Sequence, residues 1–257
     1  MENNNELALI LVAAGSSARI GFDKNGTKIK KEYLAMKGGT VLSCAAKAFL
    51  STLNFSTVVV TYPRAENAED LKTNEQKSKA ALFADDFVKN YKAQFIFVPG
   101  GKTRQESVHD ALEAIAQNSS ACSLVFIHDG ARPFVKSETV QLTYRAATEF
   151  GAAVPGLQPT ETQKKIDENG FIVKHLLRSS LTAVQTPQVF RFEPILEAHR
   201  IAAESTKTFT DDTEIWDEYA AKRKDKNGGQ NSRVKVVLGD PENKKITYPE
   251  DIKSLGV

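Results

Sequence analysis

The chain has 257 residues, of which 41% are hydrophobic, so it can bury the core of one large α/β domain or two small ones, and this composition excludes a mainly disordered chain. Its 34 basic residues are nearly balanced by 32 acidic ones, and the formal net charge of +2 argues against a general nucleic-acid or membrane-surface binder. The two cysteines lie in apolar contexts that favour buried thiols, and neither a signal-peptide pattern nor an apolar run of about 18 residues is seen, so we expect a cytoplasmic protein.

Short apolar runs alternate with amphipathic segments through the first half of the chain. The runs predict strands at 7–12, 56–61, 94–98 and 124–128, and the amphipathic segments predict helices at 40–53, 74–89 and 103–117. This alternation predicts an α/β fold with a doubly wound, mostly parallel, Rossmann-like sheet. Such sheets bind ligands at the carboxyl ends of their strands, so the loops after Val12, Val98 and His128 should converge on one site.

A polar segment at 158–177 interrupts this pattern. Within it, Asn169-Gly170 predicts a two-residue hairpin turn. We interpret residues 157–184 as a β-arm that protrudes from the sheet and returns at Gln185. An isolated hairpin is marginally stable in water, so we expect this arm to pack on a second subunit and to build a homodimer.

The last part of the chain returns to mixed elements. Helices are predicted at 192–205 and 211–222, followed by a low-complexity loop at 222–233, a strand at 234–238 and a short helix that begins at Pro249. Neither an internal repeat nor a clear second domain is visible, so a single domain is expected over residues 1–257.

The first strand leads into a loop of small residues that suits a phosphate ligand. Ala13, Ala14 and Gly15 let backbone N–H groups approach an anion closely, and Arg19 and Lys31 follow with two positive charges. The loop is neither a Walker A motif nor the dinucleotide-binding fingerprint, because the required lysine and glycine spacings are absent. The alternative is an ordinary strand-to-helix turn.

The second loop, after the strand at 94–98, has a similar character. Gly100 and Gly101 permit close backbone approach, and the helix that follows offers its positive N-terminal end to an anion. Ser107 should lie on the first turn of that helix, facing the end of the sheet. The alternative is a plain turn with Thr103 as an ordinary N-cap.

The third loop carries an acid and a base close together. Asp129, at the end of a strand, can hold a divalent metal or ribose hydroxyls, and Arg132 can bind a phosphate with two hydrogen bonds. The alternative is a surface ion pair between them. His128 lacks a partner histidine at metal-ligand spacing and is better explained as a hydrogen-bonded structural residue.

Together these loops supply cations and one acid to a single crevice. The arm adds Thr162, Lys164 and Arg178, for which the alternative is a solvated, charged hairpin. Lys244 and Lys245 follow near the end, for which the alternative is an exposed strand edge that lysine protects. This is the set of groups needed to bind a triphosphate and align a second phosphate for nucleotidyl transfer. A serine-histidine-acid set or a cysteine nucleophile is not seen.

With these residues the chain resembles the 2-C-methyl-D-erythritol 4-phosphate cytidylyltransferases from about residue 7 to residue 254. The ordered matches are Ala13-Ala14-Gly15 with Arg19, Lys31-Glu32-Tyr33-Leu34, Gly100-Gly101 with Arg104 and Ser107, His128-Asp129-Gly130-Ala131-Arg132-Pro133, Thr162-Gln163-Lys164, Arg178-Ser179, Gln185-Thr186-Pro187-Gln188, Thr210-Asp211-Asp212 and Lys245-Ile246-Thr247. The resemblance implies a nucleotidyltransferase sheet with an arm exchanged in a homodimer. It also implies Mg²⁺ and the reaction of CTP with methylerythritol phosphate to give the CDP-alcohol and pyrophosphate in isoprenoid biosynthesis.

The resemblance also implies a role for each matched residue. The catalytic residues would be Arg19, Lys31, Asp129 and Lys245. The CTP-binding residues would be Ala13, Ala14, Gly15, Ser16, Gly100, Gly101, Arg104, Ser107, Asp129 and Gly130. Asp129 would also be near the metal, and the alcohol phosphate would meet Arg132 and Lys245 together with Thr162 and Arg178 of the second subunit.

Some positions depart from the family pattern. Lys102 stands where an acidic residue is common, Lys30 stands where proline usually precedes the catalytic lysine, and an insertion at 156–160 leaves Thr160 and Thr162 as alternatives for the substrate contact. Two other functions remain open at this point: a ribitol 5-phosphate cytidylyltransferase and a nucleotide-binding regulatory protein that has lost catalysis. The combination of Arg19, Lys31, Asp129 and Lys245 speaks against the second.

Overall fold

A computed structural model describes residues 6–22, 26, 28–119, 121–222 and 233–255. Its strands are Glu6–Val12 (β1), Ala35–Met36 (β2), Gly39–Thr40 (β3), Thr57–Tyr62 (β4), Gln94–Pro99 (β5), Cys122–Asp129 (β6), Ala152–Leu157 (β7), Lys164–Ile166 (β8), Ile172–His175 (β9), Ala183–Val184 (β10), Gln188–Arg191 (β11) and Lys235–Leu238 (β12). Its α-helices are Val41–Leu50 (α1), Ala68–Leu82 (α2), Asp86–Asn90 (α3), Arg104–Asn118 (α4), Ser137–Phe150 (α5), Phe192–Ala203 (α6) and Asp212–Lys222 (α7). Short 3₁₀ helices form at Lys31–Tyr33, Arg178–Ser180 and Pro249–Leu255.

The central sheet is mixed but mostly parallel. Its order is β10-β7-β11-β6-β1-β4-β5, with β12 added beside β7. The strands β6, β1, β4 and β5 run parallel to one another, whereas β11 runs antiparallel to both β6 and β7. The four predicted strands are therefore confirmed as the parallel part of the sheet, and their carboxyl ends lie along the same edge.

Alternating side chains of β1 supply both faces of the sheet. Leu9 and Leu11 pack with α1 and α5 on one face, whereas Ala8 and Ile10 pack with α4, α6 and α7 on the other. All four of these side chains are fully buried. Two hydrophobic layers separated by one sheet confirm the predicted doubly wound arrangement.

Polar caps set the helix boundaries near the site. The Thr103 hydroxyl accepts a hydrogen bond from the Glu106 N–H at the start of α4, as its sequence position predicts. The single helix expected at 74–89 was wrong, because the chain forms two helices there. Asn67 starts the first one earlier, and the Asp85 carboxylate accepts two backbone N–H bonds that start the second.

The arm is an exposed hairpin of β8 and β9, and its turn differs from the prediction. The Asp167 N–H donates to the Phe171 carbonyl at 3.0 Å, which leaves a three-residue loop with Gly170 at φ +85°. Asn169-Gly170 therefore does not form a two-residue turn. Phe171 and Leu177 are 72% and 71% exposed in this chain.

Three elements of the second half were not predicted, namely α5, β7 and β11. Pro155 within β7 weakened the strand pattern there, and the strand accommodates this proline although it pairs on both sides. The low-complexity loop predicted at 222–233 lies almost entirely outside the described residues. In the part of the chain that the structure describes, every helix is too short or too polar to cross a membrane.

Candidate active site

A cleft of about 680 Å³ opens where the loops after β1, β5 and β6 meet. These are the loops that the sequence predicted to converge. Ten of the predicted site residues line the cleft: Ala14, Gly15, Ser16, Arg19, Lys31, Gly101, Arg104, Ser107, Asp129 and Lys245. Ala13, Gly100 and Gly130 are buried directly behind this surface.

Small residues let the first two loops approach each other. A Cβ atom on Gly100 would collide with the Cβ of Ala14, and one on Gly101 would collide with the Glu106 side chain. The absence of side chains therefore brings backbone groups of both loops to the wall of the cleft. A flat ligand such as a nucleobase can lie against this wall.

Hydrogen bonds fix the second loop on the first turn of α4. The Ser107 hydroxyl accepts the Gly101 N–H at 3.1 Å and donates to the Thr103 carbonyl at 2.8 Å. The Glu106 carboxylate accepts the Lys102 N–H at 2.7 Å. These hydrogen bonds hold the loop against the N-terminus of α4, which is directed at the cleft.

The first loop contains a non-glycine residue in the left-handed region. Ser17 has φ +52°, and its hydroxyl accepts the Lys31 N–H at 3.3 Å. Arg19 lies at the mouth of the cleft, with its guanidinium carbon 5.6 Å from the centre of the Tyr248 ring. This cation–π contact holds the exposed arginine beside the cleft.

Lys31 is the most enclosed of the predicted catalytic cations. Only 8% of the residue is exposed, and its ammonium group donates to the Ile246 carbonyl at 2.8 Å. Burial lowers the pKa of Lys31 from its usual value, although the nearby Glu32 carboxylate opposes this effect. Lys31 therefore joins the first-loop region to the segment that carries Lys245.

Asp129 is the centre of a charge cluster at the end of β6. Its carboxylate lies 3.0 Å from the Lys245 ammonium, 3.2 Å from Nε of Arg132 and 3.7 Å from Nε of Arg104. Burial raises the pKa of this carboxyl group, but Lys245, Arg104 and Arg132 together hold it far below the usual range. Asp129 is therefore ionised and fixes three cations around one point.

A second carboxylate secures Arg104 from behind. Asp212, at the start of α7, is fully buried and lies 2.7 Å from Nη1 of Arg104. Its other oxygen lies 3.3 Å from Nε2 of the buried His199. Sequence reasoning attached no role to His199, because a single histidine on a helix gives no signal of a partner on the next helix, 13 positions along the chain.

His128 is a structural residue, as expected from its lack of a metal-ligand partner. Its ring lies 2.9 Å from the Thr186 hydroxyl and 3.0 Å from the Arg132 carbonyl oxygen. Complete burial lowers the pKa of His128 to about 4. The neutral ring thus braces the loop that carries Arg132.

The predicted arm residues are not part of this chain's cleft. Thr162 and Arg178 are exposed, and neither lines the cleft. Nη1 of Arg178 donates to the Thr160 carbonyl at 2.7 Å, so the arm orders its own base. Their substrate contacts remain a prediction that needs a second subunit.

The cleft is also lined by residues for which no site role was predicted. These are Lys30 and Arg64, together with Glu32 and Thr247, which lie inside two of the matched motifs. The one signal for Lys30 was its position in place of the usual proline. Within the described residues, a cluster of three or more histidine, cysteine or acidic side chains able to hold a metal is not found.

Comparison with known proteins places this site in one family. The family model for 2-C-methyl-D-erythritol 4-phosphate cytidylyltransferase (IspD) matches residues 7–255. The enzyme of that name from Clostridium beijerinckii is 33% identical over 246 residues, which cover 96% of this chain and 95% of that protein.

Solved structures agree with the sequence match. The crystal structure of the Thermus thermophilus cytidylyltransferase of the same name is 28% identical, with a TM-score of 0.66 and coverage of 97% of both chains. A 4-diphosphocytidyl-2C-methyl-D-erythritol synthase from Anaerococcus prevotii shares the fold, with a TM-score of 0.73, 24% identity and coverage of 97% of this chain and 94% of that one. The chain belongs to the 2-C-methyl-D-erythritol 4-phosphate cytidylyltransferase family.

Proposed function

We propose that this protein transfers the cytidylyl group of CTP to 2-C-methyl-D-erythritol 4-phosphate and releases pyrophosphate. The observation that carries the proposal is the cleft at the strand ends, where a loop of small residues meets Arg19, Lys31, Arg104 and Lys245. A cleft with this charge suits a triphosphate together with a second phosphate ester. Family membership selects cytosine and methylerythritol phosphate among such substrates.

Binding of the base is assigned to the two small-residue loops. Backbone groups of Ala14 and Gly101, which both line the cleft, can hydrogen-bond the edge of cytosine, with Ser107 holding the second loop in place. Ser16 and Gly15 would then lie beside the ribose and the phosphates. Base recognition through backbone groups needs little rearrangement, because the loops are already closely packed.

The chemistry needs no protein nucleophile. A phosphate oxygen of the alcohol phosphate attacks the α-phosphorus of CTP, a new P–O bond forms, and the bond from the α-phosphorus to the bridging oxygen of pyrophosphate breaks. Arg19 and Lys31 stabilise the charge that develops on the phosphate oxygens. The protein contributes position and preorganised charge.

A divalent metal is part of the proposal and is compatible with the residues present. Mg²⁺ commonly keeps several waters and binds one or two carboxylates together with substrate phosphates, and Asp129 provides such a carboxylate at the strand end. Bound there, Mg²⁺ would neutralise phosphate charge. Asp129 itself orders Lys245 and Arg132 and can accept a ribose hydroxyl.

The alcohol phosphate is assigned to Arg132 and Lys245 of one subunit. We infer that Thr162 and Arg178 of a second subunit complete this site in a homodimer. The exposed apolar side chains of the arm support this inference, because Phe171 and Leu177 lack cover in one chain.

Release of pyrophosphate from CTP, measured with a panel of acceptors, tests the function. Turnover with methylerythritol phosphate should exceed turnover with ribitol 5-phosphate by tenfold or more, about 1.4 kcal/mol in the barrier. A preference for ribitol 5-phosphate would identify the other cytidylyltransferase. Binding of CTP without turnover on any acceptor would identify a regulatory protein.

A further inference from the structure

Lys30 is a largely enclosed cation of the cleft, and the proposed chemistry assigns it no role. Its side chain is 15% exposed, and its ammonium group lies 2.6 Å from the Glu32 carboxylate. The same ammonium donates to the Gly15 carbonyl at 2.7 Å. One lysine thus joins the first loop to the segment that carries Lys31.

The Glu32 carboxylate extends this connection to a second point of the loop. Glu32 is 3% exposed, and the Ser17 hydroxyl donates to it at 3.4 Å. Ser17 in turn accepts the Lys31 N–H at 3.3 Å. We call the set of Gly15, Ser17, Lys30 and Glu32 the loop latch.

Backbone geometry shows why the loop needs such a connection. Ser17 occupies the left-handed region at φ +52°, where a serine is strained, so surrounding contacts must hold it. Gly15 adds a freely rotating residue two positions earlier.

We propose that Lys30 is a positioning residue that holds the nucleotide loop, residues 13–19, in its CTP-binding shape by closing the loop latch. The proposal rests on the proposed function for its substrate. Lys30 uses its charge inside the protein, on Glu32 and the Gly15 carbonyl, and leaves the phosphates to Arg19 and Lys31. Burial lowers the pKa of Lys30, with Glu32 opposing, which agrees with an enclosed ammonium group.

The first test needs no substrate and therefore separates this proposal from the proposed function. Amide hydrogen exchange of the peptide that covers residues 13–19 is compared in the nucleotide-free parent, Lys30→Met and Lys28→Met. Lys28 is an exposed lysine on the same segment and lines the same cleft, so its substitution removes the same charge. Exchange should accelerate in Lys30→Met and stay at the parent rate in Lys28→Met.

The second test uses steady-state kinetics with CTP. If the loop keeps its binding shape about one-tenth of the time without the latch, Lys30→Met raises KM for CTP about tenfold, with kcat within about threefold of the parent. The double variant Lys30→Met/Glu32→Gln should recover part of the KM, because it removes the unpaired buried carboxylate. Its loop exchange should stay fast, because the Gly15 carbonyl still lacks its donor.

Parental loop exchange in Lys30→Met overturns the proposal. The proposal also fails if Lys30→Met raises KM for CTP, the added Glu32→Gln does not lower KM again, and loop exchange stays at the parent rate. That combination would mean that Lys30 contacts the triphosphate directly. Should Lys30→Met fail to fold, Glu32→Gln tests the same proposal. This substitution weakens the contacts of Glu32 with Lys30 and Ser17, so amide exchange of residues 13–19 should accelerate. A parental exchange rate in Glu32→Gln would refute the loop latch. If the parent protein releases no pyrophosphate, the proposed function is refuted. The hydrogen-exchange comparison still tests the loop latch, because it needs no substrate.

Discussion

Replacing Lys31 by methionine should separate catalysis from stability. Methionine keeps most of the length of the side chain and removes the ammonium group. In the folded chain that group is buried and donates to the Ile246 carbonyl. Its loss removes one hydrogen bond, worth about 1 kcal/mol.

The loss of that hydrogen bond is partly offset by the burial cost of the charge. The pKa of Lys31 is lowered in the folded chain, so the folded state binds this proton less tightly than the unfolded state. Stability from this group therefore increases as pH rises through the lowered folded pKa, and at neutral pH the charge opposes folding. We expect a net change within about 1 kcal/mol, or a melting temperature within about 4 °C.

Catalysis should respond much more strongly. A preorganised cation next to developing charge is worth about 3 kcal/mol, so kcat/KM for Lys31→Met should fall about a hundredfold or more. Pyrophosphate release and thermal melting are measured together, with Lys37→Met as the matched control, since Lys37 is an exposed lysine six residues away. The parent rate should decline at alkaline pH as Lys31 deprotonates, and Lys31→Arg should move that decline to higher pH.

Two results would refute this reasoning. Near-parental kcat/KM in Lys31→Met would show that the ammonium group does not act on the phosphates. A loss of folding stability far above 1 kcal/mol would show that the hydrogen bond from Lys31 to the Ile246 carbonyl mainly stabilises the fold.

Three further predictions concern the other parts of the site. Asp129→Asn should lower kcat/KM about a hundredfold, weaken the response to Mg²⁺ and cost about 2 kcal/mol of stability, less than a fully buried pair because Lys245 is 36% exposed. The stability that Asp129 contributes is present above its pKa in the unfolded chain and is lost as pH falls towards its lower pKa in the folded chain. The free energy of unfolding in urea should therefore fall less steeply below about pH 4 in Asp129→Asn than in the parent. Mixing inactive Lys31→Ala and Arg178→Ala subunits should restore about a quarter of parent activity if the arm completes the partner's site, and verified exchange without recovery would assign the arm to its own chain. Asp212→Asn should lower kcat/KM about tenfold by releasing Arg104, and a parental rate at unchanged melting temperature would remove Asp212 from this role.

The parallel half of the fold and its site could be predicted because local patterns carry them. Buried strands such as β1 are continuous apolar runs, and parallel strands place their following loops at one edge whatever the rest of the chain does. Small residues in those loops mark close approach, as the contact between Gly100 and Ala14 confirms. The positions of these loops therefore follow from short-range sequence.

Long-range pairs could not be predicted in this way. Arg104 and Asp212 are separated by 108 positions, and their ion pair depends on α4 and α7 packing on the same face of the sheet. The ion pair between Lys30 and Glu32 is local, yet the loop latch also needs the Gly15 carbonyl, which lies 15 positions earlier in the chain. Charge spacing alone does not distinguish such a contact from a solvated pair.

Three lysines of the cleft have acceptors within the protein, and these contacts let the site act by position. The Lys31 ammonium donates to the Ile246 carbonyl, and the Lys30 ammonium donates to the Gly15 carbonyl. Lys245 forms an ion pair with Asp129. These contacts fix the charges at low reorganisation cost, which is the condition under which electrostatic stabilisation is effective. They also divide the cations into two kinds. Lys31 and Lys245 meet acceptors at the wall of the cleft and can turn to phosphate, whereas Lys30 is held by a carboxylate and a carbonyl at once and stays with the loop it orders.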